Sequence, residues 1–167
     1  MIEELPKRKR NRLLWHDYCT PGMAYFITVC TKDRKKLFWR EKQPSLVGED
    51  RILPQLSKQG KIAQEAIEAI PKHYPMMELV QYVIMPNHIH MILRISYEGG
   101  QMRSAPTISS VVGQTKRRIS KQVGASVWQR SFHDHVIRGR EDYLKIAKYI
   151  EQNPFIWELD CFYVGNK

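Results

Sequence analysis

A chain of 167 residues with a 43% hydrophobic share has the length and apolar content of one domain with a real core. Lys and Arg number 27 against 17 Asp and Glu, a net charge of +10 that calls for a polyanionic partner, nucleic acid before an anionic membrane surface. Nothing approaches the roughly 18 consecutive apolar residues of a membrane span, and three scattered cysteines (Cys19, Cys30, Cys161) exclude a disulfide framework and a cysteine zinc site and fit a reducing cytoplasm.

Residues 1–15 read as a basic arm, with Lys7, Arg8, Lys9, Arg10 and Arg12 crowded together. No apolar segment follows, so this run is not read as a secretory leader. Ala24–Thr31 (AYFITVCT) is β-branched and aromatic and predicts a strand. Lys32–Asp50 is a charged connection. Lys58–Ile70 places Ile62, Ala66, Ala69 and Ile70 at helical spacing, with Pro71 as the expected stop. Leu79–Met85 and His88–Ile95 predict two strands of a hairpin around Pro86-Asn87. A flexible stretch is expected near 98–106. Ile108–Val123 is a helix with Val111, Val112, Thr115 and Ile119 inward and Lys116, Arg117, Arg118 and Lys121 elsewhere. Val127–Arg138 reads as partly extended, and a last helix runs over Glu141–Gln152, stopped by Asn153-Pro154. The order β-α-β-β-α-β plus a helix predicts an α+β, ferredoxin-like or RRM-like split βαβ antiparallel sheet with helices on one face. Residues 16–157 form the domain and 158–167 a short tail. No GxxxxGK[ST] or GxGxxG nucleotide loop is present.

Two residues carry the first chemical signal. His88 and His90 lie two apart on a strand, so both imidazoles point to one face and reach a common divalent cation, while Ile89 points away. They interrupt an apolar run, and burying two imidazoles requires a compensating partner. A histidine-triad hydrolase needs a third His where Ile92 stands. His133 and His135, flanking Asp134, make a second pair, and periodicity does not rank the two. On the last helix Tyr143, Ala147 and Ile150 share an apolar face, whereas Tyr149 falls on the side of Asp142, Lys145, Gln152 and Asn153. By spacing alone, Tyr149 is either a packing tyrosine or a group that meets substrate.

Four stretches taken together, AYFITVCTKDRKKLF, QYVIMPNHIHMILRI, VWQRSFHDHVIR and DYLKIAKYIEQNP, resemble the single-tyrosine HUH transposases. The WQR…DH…IR stretch followed by YI…NP is most similar to the REP-associated tyrosine transposase branch, also described as IS200-like. The resemblance spans roughly residues 12–157. It implies cleavage and rejoining of single-stranded DNA beside palindromic hairpins through a 5′-phosphotyrosine, with His88 and His90 as metal ligands and Tyr149 as nucleophile. Asn153 matches the third ligand position, which is Gln in better-known relatives. A phenol of pKa about 10 is a poor nucleophile at neutral pH, so an adjacent Mg²⁺ or Mn²⁺ fits the chemistry, the imidazoles favouring Mn²⁺.

The excess of positive charge then serves DNA, with Lys116, Arg117, Arg118, Lys121, Arg130 and Arg138 as phosphate contacts and Trp128 or Phe132 stacking on unpaired bases. Single-stranded hairpin DNA is the expected partner, a homodimer is compatible with the family, no membrane is involved, and the cytoplasm with its nucleoid is the expected location. The alternative is a non-catalytic RRM-like protein that grips nucleic-acid hairpins. It gives His88, His90 and Tyr149 no common purpose. A replication-initiator nickase is a third reading, usually on longer chains.

Overall fold

The computed structural model describes residues 22–40, 54–96 and 106–164. The basic arm over 1–15, Cys19, and the predicted connections over 41–50 and 98–105 lie outside the described residues. In chain order the elements are β1 (Ala24–Cys30), α1 (Lys58–Glu68), α2 (Ile70–His73), β2 (Met77–Ile84), β3 (His88–Ile95), α3 (Ile108–Val123), β4 (His133–Ile137) and α4 (Gly139–Gln152). The strands stand in the order β2-β3-β1-β4, each pair antiparallel. This is the split βαβ sheet that the element order predicts.

Strand alternation divides the central strand β3 between two layers. Ile89, Met91, Leu93 and Ile95 join Tyr25, Ile27 and Val29 against the apolar stripes of α1 and α3 in the main core. Ile92, on the other face, packs with Ile137 and Ile150 beneath α4. The two crossover helices therefore share one face of the sheet, and the tyrosine-bearing helix closes the other. Covered on both sides over most of its length, β3 is apolar except at His88, His90 and the exposed Arg94, which pairs with Glu78.

Two local expectations, on Pro71 and on Trp128, are corrected. Pro71 does not end the first helix: α1 stops at Glu68, and Pro71 stands in the first turn of α2, where its missing N–H has no helical partner to lose. The stretch over 127–138, expected to be partly extended, forms a strand from His133 to Ile137. Before it, Trp128 is buried against Phe38 with ring centroids 5.5 Å apart, and its Nε1 donates to the Lys116 carbonyl at 3.0 Å. That indole is core rather than a platform for bases. As expected, α4 stops at Gln152 before Asn153-Pro154, and the chain continues as 3-10 turns over Asn153–Phe155 and Trp157–Leu159.

Candidate active site at the His88–His90 strand

The Met85-Pro86-Asn87 turn delivers β3 to the sheet with its two histidines facing α4. His88 and His90 are buried, and their Nε2 atoms converge to 2.9 Å. Each ring is held from behind. Asn87 spends its Nδ2 on the Phe162 carbonyl at 2.8 Å, so its Oδ1 accepts from His88 Nδ1, also at 2.8 Å. That bond fixes His88 as the Nδ1–H tautomer and leaves the Nε2 lone pair pointing inward. His90 Nδ1 is paired with Thr28 Oγ1 of the neighbouring strand at 2.8 Å, and Phe26 stacks on the His90 ring. Such outer partners orient imidazoles for metal binding.

The environment keeps both rings neutral. Burial pushes His88 down to about 3, helped by the Arg34 charge, and pushes His90 to about 3, with His88 adding to the effect and Asp160 opposing it. At neutral pH both imidazoles are therefore uncharged, and the 3.9 Å approach of Asp160 to His88 is not an ion pair.

Helix α4 brings Tyr149 over this pair. Its hydroxyl lies 3.3 Å from His90 Nε2 and donates to Asp160 Oδ2 at 3.0 Å. Burial raises the phenol well above its ordinary value, and the Asp160 carboxylate adds to that rise. Tyr143, on the apolar face, packs with Ile92, Ile137 and Ile150. The helical spacing thus separated the two tyrosines correctly. Asn153 is fully buried beyond the helix end, and neither of its amide atoms has a hydrogen-bond partner among the described residues. It is near enough to the phenol to pull its pKa slightly downward without meeting hydrogen-bond geometry.

Asp160 is the residue that sequence reasoning missed. It belongs to the segment read as tail, and no spacing marked it. In space, ligand atoms of His88, His90 and Asp160 all lie within 4.8 Å of one another. Phe162 packs on the His88 ring with centroids 4.6 Å apart, under the Arg34 guanidinium, and the Trp157 ring lies 5.9 Å from the His88 ring. Two lone-pair-bearing imidazoles and a carboxylate form a mixed N/O set of the kind that can hold a first-row divalent cation or Mg²⁺.

The second histidine pair makes no such cluster among the described residues. On the edge strand β4, His135 bonds Asp142 at 2.8 Å and His133 is exposed. The predicted phosphate contacts are dispersed. Arg117, Arg118 and Lys121 ride on α3, which covers the sheet face opposite His88 and His90. Arg130 and Arg138 are exposed near β4. Lys116 is committed: its Nζ donates to the Gln129 and Ser131 carbonyls at 2.7 and 3.1 Å. No helix among the described residues is long and apolar enough to cross a membrane.

Comparison with known proteins shows the family of the chain. Residues 19–153 match the family described as Transposase IS200 like. An uncharacterized protein of Haemophilus influenzae is 30% identical, the match covering 94% of this chain and 93% of that one. The REP-associated tyrosine transposase of Escherichia coli is 25% identical over 82% of this chain and 69% of its own. A solved REP-associated tyrosine transposase bound to a REP hairpin shares the fold, with a TM-score of 0.58 at 24% identity over 86% of this chain and 73% of that one.

Proposed function

This chain belongs to the IS200-like transposase family, and from that premise we propose that it is a metal-dependent single-stranded DNA transposase. It cleaves and rejoins DNA next to palindromic hairpins through a 5′-phosphotyrosine intermediate. Hairpin DNA enters the reading through the relatives: those named are REP-associated tyrosine transposases, and one was solved on a REP hairpin. The observation that carries the chemistry is the Tyr149 hydroxyl 3.3 Å from His90 Nε2, beside the converging His88.

In this reading His88 and His90 are metal ligands, and Asn153, with its unpartnered buried amide, supplies an amide oxygen. A divalent cation held there, Mg²⁺ or Mn²⁺, would offset charge on the phosphate and favour the phenolate. Asn87 and Thr28 hold the two imidazoles in place, and Phe26 backs the His90 ring. Tyr149 Oη forms the new bond to phosphorus while the P–O3′ bond breaks. The phenol proton already lies along a hydrogen bond to Asp160, and the departing 3′ oxygen gains a proton to become a hydroxyl. The phosphotyrosyl ester conserves the energy of the broken phosphodiester, so rejoining needs no nucleotide, in accord with the missing nucleotide loops.

The test is direct. Incubation with Mn²⁺ and a single-stranded oligonucleotide carrying a hairpin should give a protein–DNA band that survives denaturant. Tyr149→Phe should abolish it and Tyr143→Phe should keep it. A band that persists in Tyr149→Phe assigns the nucleophile elsewhere, and binding without any adduct favours the hairpin-gripping alternative.

A further inference from the structure

The family resemblance stops near residue 157, yet the chain after α4 does not leave the site. Its turns carry Trp157 and Phe162 to the His88 ring and place the Asp160 side chain, wholly shielded from solvent, among the reactive groups. Three bonds define that placement: Asp160 Oδ2 accepts from Tyr149 at 3.0 Å, Asp160 Oδ1 accepts from the Phe162 amide at 2.6 Å, and the Phe162 carbonyl accepts from Asn87 at 2.8 Å. Asn87 is the same residue that orients His88.

We propose that Asp160 supplies the anionic ligand of the divalent cation at His88 and His90, a role that rests on reading this site as metal-dependent. Charge bookkeeping motivates it. Two neutral imidazoles and one amide leave a dication uncompensated in a pocket where His88 and His90 are at most 1% exposed, and uncompensated charge in so dry a site is costly. A carboxylate offsets half of that charge, and hard divalent cations prefer carboxylate oxygen to amide oxygen. Asp160 is the acidic side chain that meets the pair among the described residues. Because the Phe162 amide bonds the same carboxylate, cation binding also fastens residues 157–163 to the site.

Two measurements on the full chain test the assignment. In calorimetric titration with Mn²⁺, Asp160→Asn keeps the side-chain shape and should weaken binding by about ten-fold or more, as His88→Ala should. Native Asp160→Asn affinity, with binding lost in His88→Ala, overturns the role of Asp160 and leaves the Tyr149 chemistry standing. That chemistry is judged separately by the covalent adduct. A wild-type chain that takes up no Mn²⁺ overturns both. Hydrogen exchange in the unmutated protein does not depend on a variant folding: Mn²⁺ should slow exchange of the Phe162 amide several-fold, and an unchanged rate sinks the proposal.

Discussion

Tyr149 and His90 are separated by 59 residues in the chain, yet the phenol oxygen and the imidazole Nε2 lie 3.3 Å apart within a single protomer. The hydroxyl is steered there by α4, which packs its Tyr143–Ile150 face on Ile92 and Ile137, and by the bond to Asp160 at 3.0 Å. The phenol and both histidines here come from one copy of the chain.

A mixing experiment follows from that geometry. Tyr149→Phe retains the histidines, and a His88→Ala, His90→Ala double variant retains the tyrosine. Combined in one tube, the two should form no more covalent adduct than either alone, because each site is closed by its own α4. Recovery of adduct to a quarter or more of the wild-type level would show that tyrosines exchange between copies of a homodimer.

Acid should destabilise the protein through the buried histidines. Both are held down to about 3 in the folded chain, chiefly by burial, while an unfolded histidine titrates near 6.5. Between those values the unfolded chain binds more protons than the folded one, so stability falls as pH drops from about 6.5 toward 3 and is insensitive to these groups above 6.5. Thermal melts from pH 7.5 to 3.5, without metal, should show a decline that is shallower in a His88→Gln, His90→Gln variant. Parallel profiles for the two proteins would remove the histidines as the cause.

Lys116 offers a test of what the basic surface does. Its ammonium holds the loop before β4 through two carbonyls, and burial lowers its pKa. Lys116→Met should cost about 1–3 kcal/mol of stability in denaturant melts, with no change in the salt dependence of hairpin binding. A phosphate contact would instead reduce that salt slope by about one unit on a log–log plot.

Much of the fold was legible because strands and amphipathic helices announce themselves by local period. The run HIHMILRI put His88 and His90 on one face of a strand whatever lay around it, and the α4 turn angle separated Tyr149 from Tyr143 before any contact was known. Periodicity could not rank the two histidine pairs, because both sit on strands with the same spacing. The resemblance pointed to His88 and His90, and what lies above each pair differs accordingly: Tyr149 and Asp160 over β3, a single carboxylate of Asp142 beside β4. Residue types likewise said nothing of Lys116, which looks like its neighbours until the loop carbonyls are placed around it.

What the amino-acid order alone determined is the set of elements, the shared direction of the two imidazoles, and the family to which the motifs point. Tertiary structure alone decided that α4 closes the sheet face opposite α1 and α3, that Tyr149 reaches His90 within the chain, and that Asp160 and Phe162 return to His88. The reason is range. Side-chain direction follows from the twofold or 3.6-fold repeat of neighbouring residues, whereas the meeting of residues 88 and 160 depends on the path of the turns after α4, and no short-range repeat encodes that path.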